Sequence, residues 1–299
     1  MTRGDSMYYD ALKTFVVLAD LKNFTKASEV LHISQPTVSL HIKNLEQEFQ
    51  TKLFLRSPKQ VQITPTGKML YNRSKQILAL YEQVKEEILL HHNAIQGELK
   101  IGASFTIGEY ILPAILKEIQ ANYPELEMNV YIGNTEEVVK KVREFQVDIG
   151  LIEGQMDEQE LTIHSFMKDE LFIVCAPSYL NEKEVKTWKD LQNLTWITRE
   201  EGSGTREYLM HIIRSNGLRT KSMITVSSNQ GIKESLLQGM GISLLSKSVI
   251  EKELKHEELI VVRLGNELFT RTFSYILQPV LQSKSTIQVL LQLIKVLEH

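Results

Sequence analysis

The clearest pattern in the chain lies between residues 34 and 49. Val38, Ile42, Leu45 and Phe49 recur at spacings of four, three and four, so all four fall on one stripe of an α-helix. Ser34 stands where an N-cap hydroxyl would accept a first-turn N–H. Pro36 is tolerated in that turn because its missing N–H would have no intrahelical partner. The other face carries Gln35, Thr37, Ser39, Leu40, His41, Lys43 and Asn44, polar apart from Leu40 and free of carboxylates. Upstream, Leu12, Phe15, Val16 and Ala19 predict a helix over residues 8–21, with Phe24 completing its core. A short second helix, capped by Thr25, places Ala27 and Leu31 on its inner side, and His32-Ile33-Ser34 makes the turn. Downstream, Leu53-Phe54-Leu55-Arg56 and Val61-Gln62-Ile63-Thr64 predict two strands around Ser57-Pro58-Lys59-Gln60. The helix after Ser34 is either an ordinary amphipathic helix with a solvated polar face, or one whose polar face reads base edges in a major groove. The tight turn before it favours the second reading. So does the wing after it, with Arg56 and Lys59 placed to touch phosphates.

Residues 68–92 contain neither Gly nor Pro, and Leu70, Ile77 and Val84 repeat at seven, joined by Leu80 and Ile88. This predicts one long helix with a narrow apolar seam. A small head has little chain of its own to cover that seam, so a dimer through this helix is expected. Packing against the chain's own first helix is the alternative. From Glu98 the pattern changes to alternating strands and helices. Strands are expected at residues 99–103, 126–132 and 147–152, with helices at 108–122 and 135–145 between them. That βαβαβ order implies a parallel sheet with right-handed crossovers. Two strands are expected within 161–176. Strand, helix, strand, helix and strand then follow at 195–198, 204–215, 223–227, 230–238 and 241–245. A final strand at 272–277 and helix at 284–297 are expected to rejoin the first unit. Two similar α/β units imply two lobes with a cleft between them.

Composition excludes several classes. A hydrophobic content of 42% and a charged content of 24% are ordinary for globular protein, and 299 residues suggest two or three domains. No apolar run approaches the roughly 18 residues of a bilayer span. Residues 1–6 lack the apolar core of a signal peptide, and Met7 is an alternative natural start that would make them an extension. The cytoplasm is the expected compartment, and no membrane partner is expected. The lone Cys175 lies in the strand-like run Leu171-Phe172-Ile173-Val174-Cys175. It excludes an intrachain disulfide and a Cys-based zinc site, and reads as a buried, inert thiol. His91-His92 has no third ligand nearby and reads as a solvated hinge, so no metal is expected. The net charge of −3 argues weakly against nucleic acid, but its distribution does not. Residues 1–81 carry 11 Lys/Arg against 6 Asp/Glu, whereas residues 82–299 carry 23 against 31. A basic head on an acidic body suits a module that meets phosphates at one end.

The run Phe24-Thr25-Lys26-Ala27-Ser28-Glu29-Val30-Leu31-His32-Ile33-Ser34-Gln35-Pro36-Thr37-Val38-Ser39, with Ile42, Leu45 and Glu46, resembles the winged helix-turn-helix of LysR-type transcriptional regulators. Leu53-Phe54-Leu55-Arg56 and Thr64-Pro65-Thr66-Gly67 are similar to that family's wing and the start of its linker helix. Leu40 departs from the pattern, since the family more often has a polar or basic residue there. It either touches a thymine methyl or is a neutral exposed apolar residue. The DNA-binding residues expected are Thr25, Ser34, Gln35, Pro36, Thr37, Ser39, Leu40, Lys43, Arg56 and Lys59. The resemblance implies double-stranded promoter DNA as a partner, a dimer through the linker helix, pairs of dimers forming a tetramer, and RNA polymerase as a further partner. The two-lobed part resembles the same family's effector domain, with looser sequence similarity.

In open α/β sheets ligands bind beyond the carboxyl ends of strands, where helix N-termini offer free N–H groups and a partial positive charge. Four such ends carry small polar residues: Ser104, Phe105 and Thr106; Asn134 and Thr135; Gly202, Ser203, Gly204, Thr205 and Arg206; Ser228 and Asn229. Each alone reads as plain helix capping. Two from each lobe together point to a shared effector site for a small anion, with Arg206, and Arg199 near it, able to pair with an oxyanion. The run Glu200-Glu201-Gly202-Ser203-Gly204-Thr205-Arg206 resembles a branch of the family that includes regulators of sulfur assimilation and carbon fixation. That favours a small polar or anionic metabolite, and no cofactor beyond such an effector is expected.

Two other classes stay in view. A solute-binding protein of transport shares the two-lobed plan but has no such head and needs export. An enzyme needs chemistry that is missing. Gly202-Ser203-Gly204 is not the Gly-x-Ser-x-Gly elbow, no Walker loop or zinc motif occurs, and the Gly-x-Gly pair lacks its third Gly. The expectation is a multi-domain, non-enzymatic regulator with no catalytic residues. It has an all-α winged helix-turn-helix head at 1–65 and a linker and dimerisation helix with hinge at 66–96. A two-lobed α/β effector domain resembling periplasmic binding proteins follows, with lobe I at 97–167 and 270–299 and lobe II at 168–269.

Overall fold

The computed structural model describes residues 5–57, 60–90, 97–154, 160–180, 187–265, 267–295 and 297. The chain divides into two compact units, Met1–His92 and Asn93–His299.

In the first unit, α1 (Asp5–Leu21), α2 (Phe24–Leu31) and α3 (Gln35–Glu48) close over Phe15, Leu18, Ala27, Val38, Ile42 and Leu45. The cap of α2 is Asn23, not Thr25. Asn23 is extended, and its Oδ1 accepts from Thr25 N at 2.9 Å and Lys26 N at 3.0 Å. Thr25 is instead an exposed residue of the first turn. The stripe of α3 is shorter than the spacing predicts. Phe49 is the C-cap and is 47% exposed, because the helix ends before it could turn inward. Glu46 is buried in its vicinity instead. Its Oε1 accepts from Leu53 N at 3.0 Å and Phe54 N at 3.4 Å, and its Oε2 pairs with Lys52 at 2.8 Å. Burial by itself would raise this carboxyl. The Lys52 ammonium and the two backbone N–H groups outweigh it and hold Glu46 below its ordinary value.

That carboxylate fixes the start of the wing, in which β1 (Phe54–Ser57) pairs antiparallel with β2 (Gln60–Ile63). α4 (Pro65–Leu90) follows with Pro65 at its first position, and Thr64 Oγ1 accepts from Gly67 N at 2.9 Å. Gly67 is required by contact. A Cβ there would lie 2.3 Å from the Leu53 carbonyl oxygen. The predicted seam of α4 divides in two. Leu70, with Tyr71 and Leu78, packs on the head's own core, whereas Ile77, Leu80 and Val84 stand exposed. The Ile88 side chain and His91-His92 lie outside the described residues.

The second unit is organised on one nine-stranded sheet, in the order β4-β3-β5-β11-β6-β9-β7-β8, with β10 added to β6. β3 (Gly97–Ser104), β4 (Leu126–Gly133) and β5 (Ile149–Glu153) are mutually parallel through β3. β7 (Thr195–Thr198), β8 (Ser222–Thr225) and β9 (Ile242–Ser246) form the second parallel group. α5 (Leu112–Asn122) and α6 (Thr135–Arg143) cover the first group, and α7 (Gly204–Ser215) and α8 (Asn229–Leu237) the second. Two strands cross between the groups, β6 (Thr162–Cys175) and β11 (Phe269–Leu277), paired antiparallel with a bulge at Phe273/Ser274. α10 (Ser285–Lys295) returns to pack on α5 and β3.

Three expectations change here. The stretch 161–176 is one strand, not two. The strand runs through the charged residues Lys168-Asp169-Glu170, with Asp169 buried against a cation on β11. α9 (Lys247–Lys255) and the short β10 (Ile260–Val261) went unforeseen. The helix expected from Gly108 starts with a π turn, Ile107–Ile111. Pro113, lacking an N–H, cannot make the regular α bond back into that turn. Cys175 is buried on the 171–175 run as expected. Among the described residues no helix is long and apolar enough to cross a membrane.

Candidate functional site

On the head, the residues of α3 sort by burial. Gln35, Pro36, Leu40 and Lys43 are exposed, and Thr37 and Ser39 are half-buried. Ser34 caps the helix. Its Oγ accepts from Thr37 N at 3.2 Å and lies 2.7 Å from Thr37 Oγ1, so both hydroxyls are partly engaged with each other. Leu40 is 52% exposed, one turn from Pro36 on the same side. His41 leaves this face. Its Nδ1 lies 2.8 Å from Thr14 Oγ1, whose hydroxyl donates to the Asp10 carbonyl at 2.7 Å. With Thr14 donating elsewhere, the ring nitrogen is the donor to it. The imidazole is thereby held toward α1 rather than the open face. The Arg56 side chain and Lys59 lie outside the described residues.

In the second unit, the four predicted strand ends converge and the structure adds a charged network that joins them. Glu153, at the end of the fully buried β5, accepts from Thr106 N at 3.1 Å, Thr205 Oγ1 at 2.9 Å and Arg271 Nη1 at 2.6 Å. Arg271, on β11, also donates through Nε to Asp169 at 2.8 Å and through Nη1 to Thr205 Oγ1 at 2.8 Å. Asp169 accepts from Ser246 Oγ at 2.6 Å. Burial pushes both carboxyls upward. For Glu153 the Arg271 guanidinium and the Thr106 and Thr205 bonds win, and the group sits below its ordinary value. For Asp169 burial wins, and the group sits above it.

A second cluster surrounds Arg199, which is 2% exposed. It pairs in a fork with Glu200 at 2.9 and 2.8 Å, donates to Asn229 Oδ1 at 3.2 Å, and lies 4.3 Å over the Phe105 ring from the other lobe. Arg206 donates to the Arg199 carbonyl at 2.9 Å and pairs with no carboxylate among the described residues. Lys233, on α8, pairs with Glu253 at 2.6 Å and lies 5.5 Å from the centre of the Tyr110 ring. Burial raises the Glu109 carboxyl above its ordinary value beside Asn229.

The predicted residues thus play different parts. Asn134 and Ser228 are caps: Asn134 Oδ1 accepts from Glu137 N at 2.9 Å, and Ser228 Oγ from Gly231 N at 3.0 Å. Thr106 and Thr205 belong to the Glu153–Arg271 network, and Phe105 and Asn229 to the Arg199 cluster. Ser203 starts α7 without a side-chain cap. Gly204 is needed by close approach, since a Cβ there would lie 2.7 Å from the Glu153 carbonyl oxygen. Gly202 meets the other lobe, where its carbonyl accepts from Glu136 N at 3.2 Å. Ser104 Oγ and Thr135 Oγ1 are buried, at 2% and 7% exposure, with no hydrogen-bond partner among the described residues. Sequence reasoning missed Glu153, Asp169, Arg271, Glu109, Tyr110 and Lys233. The one available signal was a carboxylate closing the apolar run Ile149-Gly150-Leu151-Ile152-Glu153, which obliges a buried cation somewhere.

Comparisons with known proteins identify both units. Residues 9–68 match the model for bacterial regulatory helix-turn-helix proteins of the lysR family, and residues 92–297 match the LysR substrate binding domain. The transcriptional regulator CysL of Bacillus subtilis is 55% identical over 291 residues, covering 97% of each chain. A probable RuBisCO transcriptional regulator of Phaeodactylum tricornutum is 31% identical over 272 residues, covering 89% of each. Among solved structures, the CcmR regulatory domain of Synechocystis PCC6803 in complex with 2-PG superposes with a TM-score of 0.63. It is 22% identical and covers 68% of this chain and 98% of that one. The chain therefore belongs to the LysR family, as a DNA-binding transcriptional regulator with an effector-binding unit, in the branch that the 200–206 run suggested, and not to a family of enzymes.

Proposed function

We propose that this regulator answers to a small anionic metabolite held between the lobes of its second unit. The observation that carries the reading is the pair Ser104 Oγ and Thr135 Oγ1, two buried hydroxyls without partners at the carboxyl ends of neighbouring parallel strands. Leaving such groups unpaired costs about 1–3 kcal/mol each, which an oxyanion accepting both would recover. The N-terminus of α6 adds a partial positive charge, offset in part by Glu136 and Glu137 in its first turn, and Arg206 adds a cation free of any carboxylate among the described residues. Arg199, Arg271 and Lys233 are already matched to Glu200, to Glu153 and Asp169, and to Glu253. The site therefore suits one small anionic group and not a polyanion. The 2-PG of the CcmR complex lends support through the shared fold.

Of the predicted set, Ser104, Thr135, Gly202, Ser203 and Arg206 are the contacts in this reading. Phe105, Thr106, Asn134, Gly204, Thr205, Ser228 and Asn229 shape and brace them. In the first unit, α3 lies in the major groove of promoter DNA, with Gln35, Thr37, Ser39, Leu40 and Lys43 toward the bases. The exposed row Ile77, Leu80 and Val84 on α4 pairs two chains, dimers associate into tetramers, and the assembly works with RNA polymerase in the cytoplasm.

The test is thermal unfolding of the full chain with sulfate, phosphate and a panel of two- to four-carbon carboxylates and phosphate esters. A specific anion at one hundred times its Kd should stabilise by about 2.7 kcal/mol. For a unit of this size that is roughly 5–10 °C. Ser104→Ala and Thr135→Val should each abolish the shift. An inert panel, or a shift that survives both substitutions, would refute the anion site.

A further inference from the structure

We infer that Leu40 is a specificity-determining residue that reads the 5-methyl group of thymine. The inference rests on the major-groove reading of α3 given above. Val38, Ile42 and Leu45 are sealed in the head core, and they fix which side of α3 is free. At 100° per residue, Leu40 lies nearly opposite the mean direction of those three. It is 52% exposed at the centre of the outward face, with Pro36 one turn before it and Lys43 nearly one turn after. Two of its polar neighbours are turned to other partners, while Lys43 and Asn44 flank it on either side. Thr37 and Ser34 are tied together at the helix start, and His41 is held against Thr14. An exposed aliphatic residue thus stands at the centre of the outward face, whose other members apart from Pro36 donate or accept hydrogen bonds.

In a major groove, the thymine methyl is the apolar feature that base edges present. Leu40 has no hydrogen-bonding atom, so it cannot read a donor or acceptor. It excludes polar edges by leaving them unpaired and gains by covering a methyl. Pro36, adjacent on the same side and rigid, widens the apolar strip. The prediction is therefore a thymine at the position facing the middle of α3 in each half-site. Covering one methyl contributes about 0.8 kcal/mol, a factor of about four in Kd per half-site.

The experiment starts by selecting tight-binding fragments from a random duplex pool with the full chain. Each thymidine of the selected fragment is then replaced in turn by deoxyuridine, which removes the methyl and keeps pairing and the O4 acceptor. Wild type should lose about fourfold at one position of each half-site and little elsewhere. Leu40→Ala, a surface change that leaves the head core intact, should bind deoxyuridine and thymidine equally there. Leu40→Arg should shift the selected base at that position toward guanine. Equal binding by wild type at every position overturns the inference, as does a deoxyuridine penalty that persists in Leu40→Ala or moves only with Thr37→Ser. Failure to enrich any fragment over random duplex would instead strike the major-groove reading beneath it.

Discussion

Arg271→Met tests the network that joins the two lobes. The side chains of Arg271, Glu153 and Asp169 are 3%, 2% and 2% exposed, so water does not screen them. Methionine approximates the arginine stem and removes the charge. It leaves two buried carboxylates without a cation, and Thr205 Oγ1 without one of its partners. Removing one member of a buried ion pair costs about 3–5 kcal/mol, chiefly through the charge left behind. For a domain of this size, each kcal/mol is worth roughly 2–4 °C. The second unit should therefore melt about 6–20 °C lower. Both tryptophans, Trp188 and Trp196, lie in this unit, so their fluorescence in a urea titration reports on it alone. The pH dependence supplies a sign. In wild type Glu153 sits below its ordinary value, so its contribution is complete above about pH 4.3 and fades as pH falls through the lower folded value. In the variant both carboxyls rise above their unfolded values. Their destabilising effect then grows as pH rises through the folded values, so the deficit should be smaller at pH 5 than at pH 8. A loss under about 1 kcal/mol, or a deficit larger at pH 5, would show that the cluster does not hold these lobes together.

Two further outcomes follow from the first unit. Glu46→Ala removes the acceptor for Leu53 N and Phe54 N, and should cost the head about 1–3 kcal/mol by circular-dichroism melting. Because Glu46 sits below its ordinary value, the wild-type head should lose this contribution as pH falls below about 4.3, and the variant should show a flatter acid limb. On α4, the pair Ile77→Glu and Val84→Glu should shift sedimentation from dimer toward monomer while the head keeps its melting temperature, since neither side chain belongs to its core.

Local signals carried most of the head. The apolar spacing of Val38, Ile42 and Leu45, and the Ser34 cap, appear in the structure as read. The failures there have local causes. Asn23 and Thr25 are both good caps two residues apart, and backbone geometry chose the first. Phe49 continues the helical period in sequence, but the helix stops at Glu48. Among α4's apolar residues, periodicity could not separate Leu70, which serves the head, from Ile77 and Val84, which do not. In the second unit the alternation of strands and helices was legible, as were the polar strand ends. The partners of those ends were not. Glu153 meets Arg271 across 118 positions of chain and Asp169 meets it across 102, and no local pattern encodes such pairings. The stretch 161–176 likewise proved one strand where two were expected, and the cation that buries Asp169 within it lies far along the chain.

The distinction between engaged and unengaged polar groups bears on how the second unit could respond to a ligand. Thr106 lies two residues from Ser104 and is bonded to Glu153, and Thr205 is next to Arg206 and bonded to both Glu153 and Arg271. Each lobe's edge of the proposed site is thus tied within two residues to the same buried guanidinium on β11. A fully satisfied charged network tolerates few intermediate arrangements, because every partial separation leaves a desolvated charge. A ligand that drew residues 104–106 toward residues 202–206 would have to carry Arg271 along or break its bonds at a cost of several kcal/mol, roughly 3–5. The first course moves β11 and, through Asp169, β6, the two strands that cross between the lobes. Asp169→Asn separates the courses. It keeps the Ser104 and Thr135 hydroxyls but loosens the tie to β6, so ligand-induced stabilisation should persist while the ligand's effect on DNA footprint weakens. A footprint response as large as wild type would mean that the lobes signal by another route.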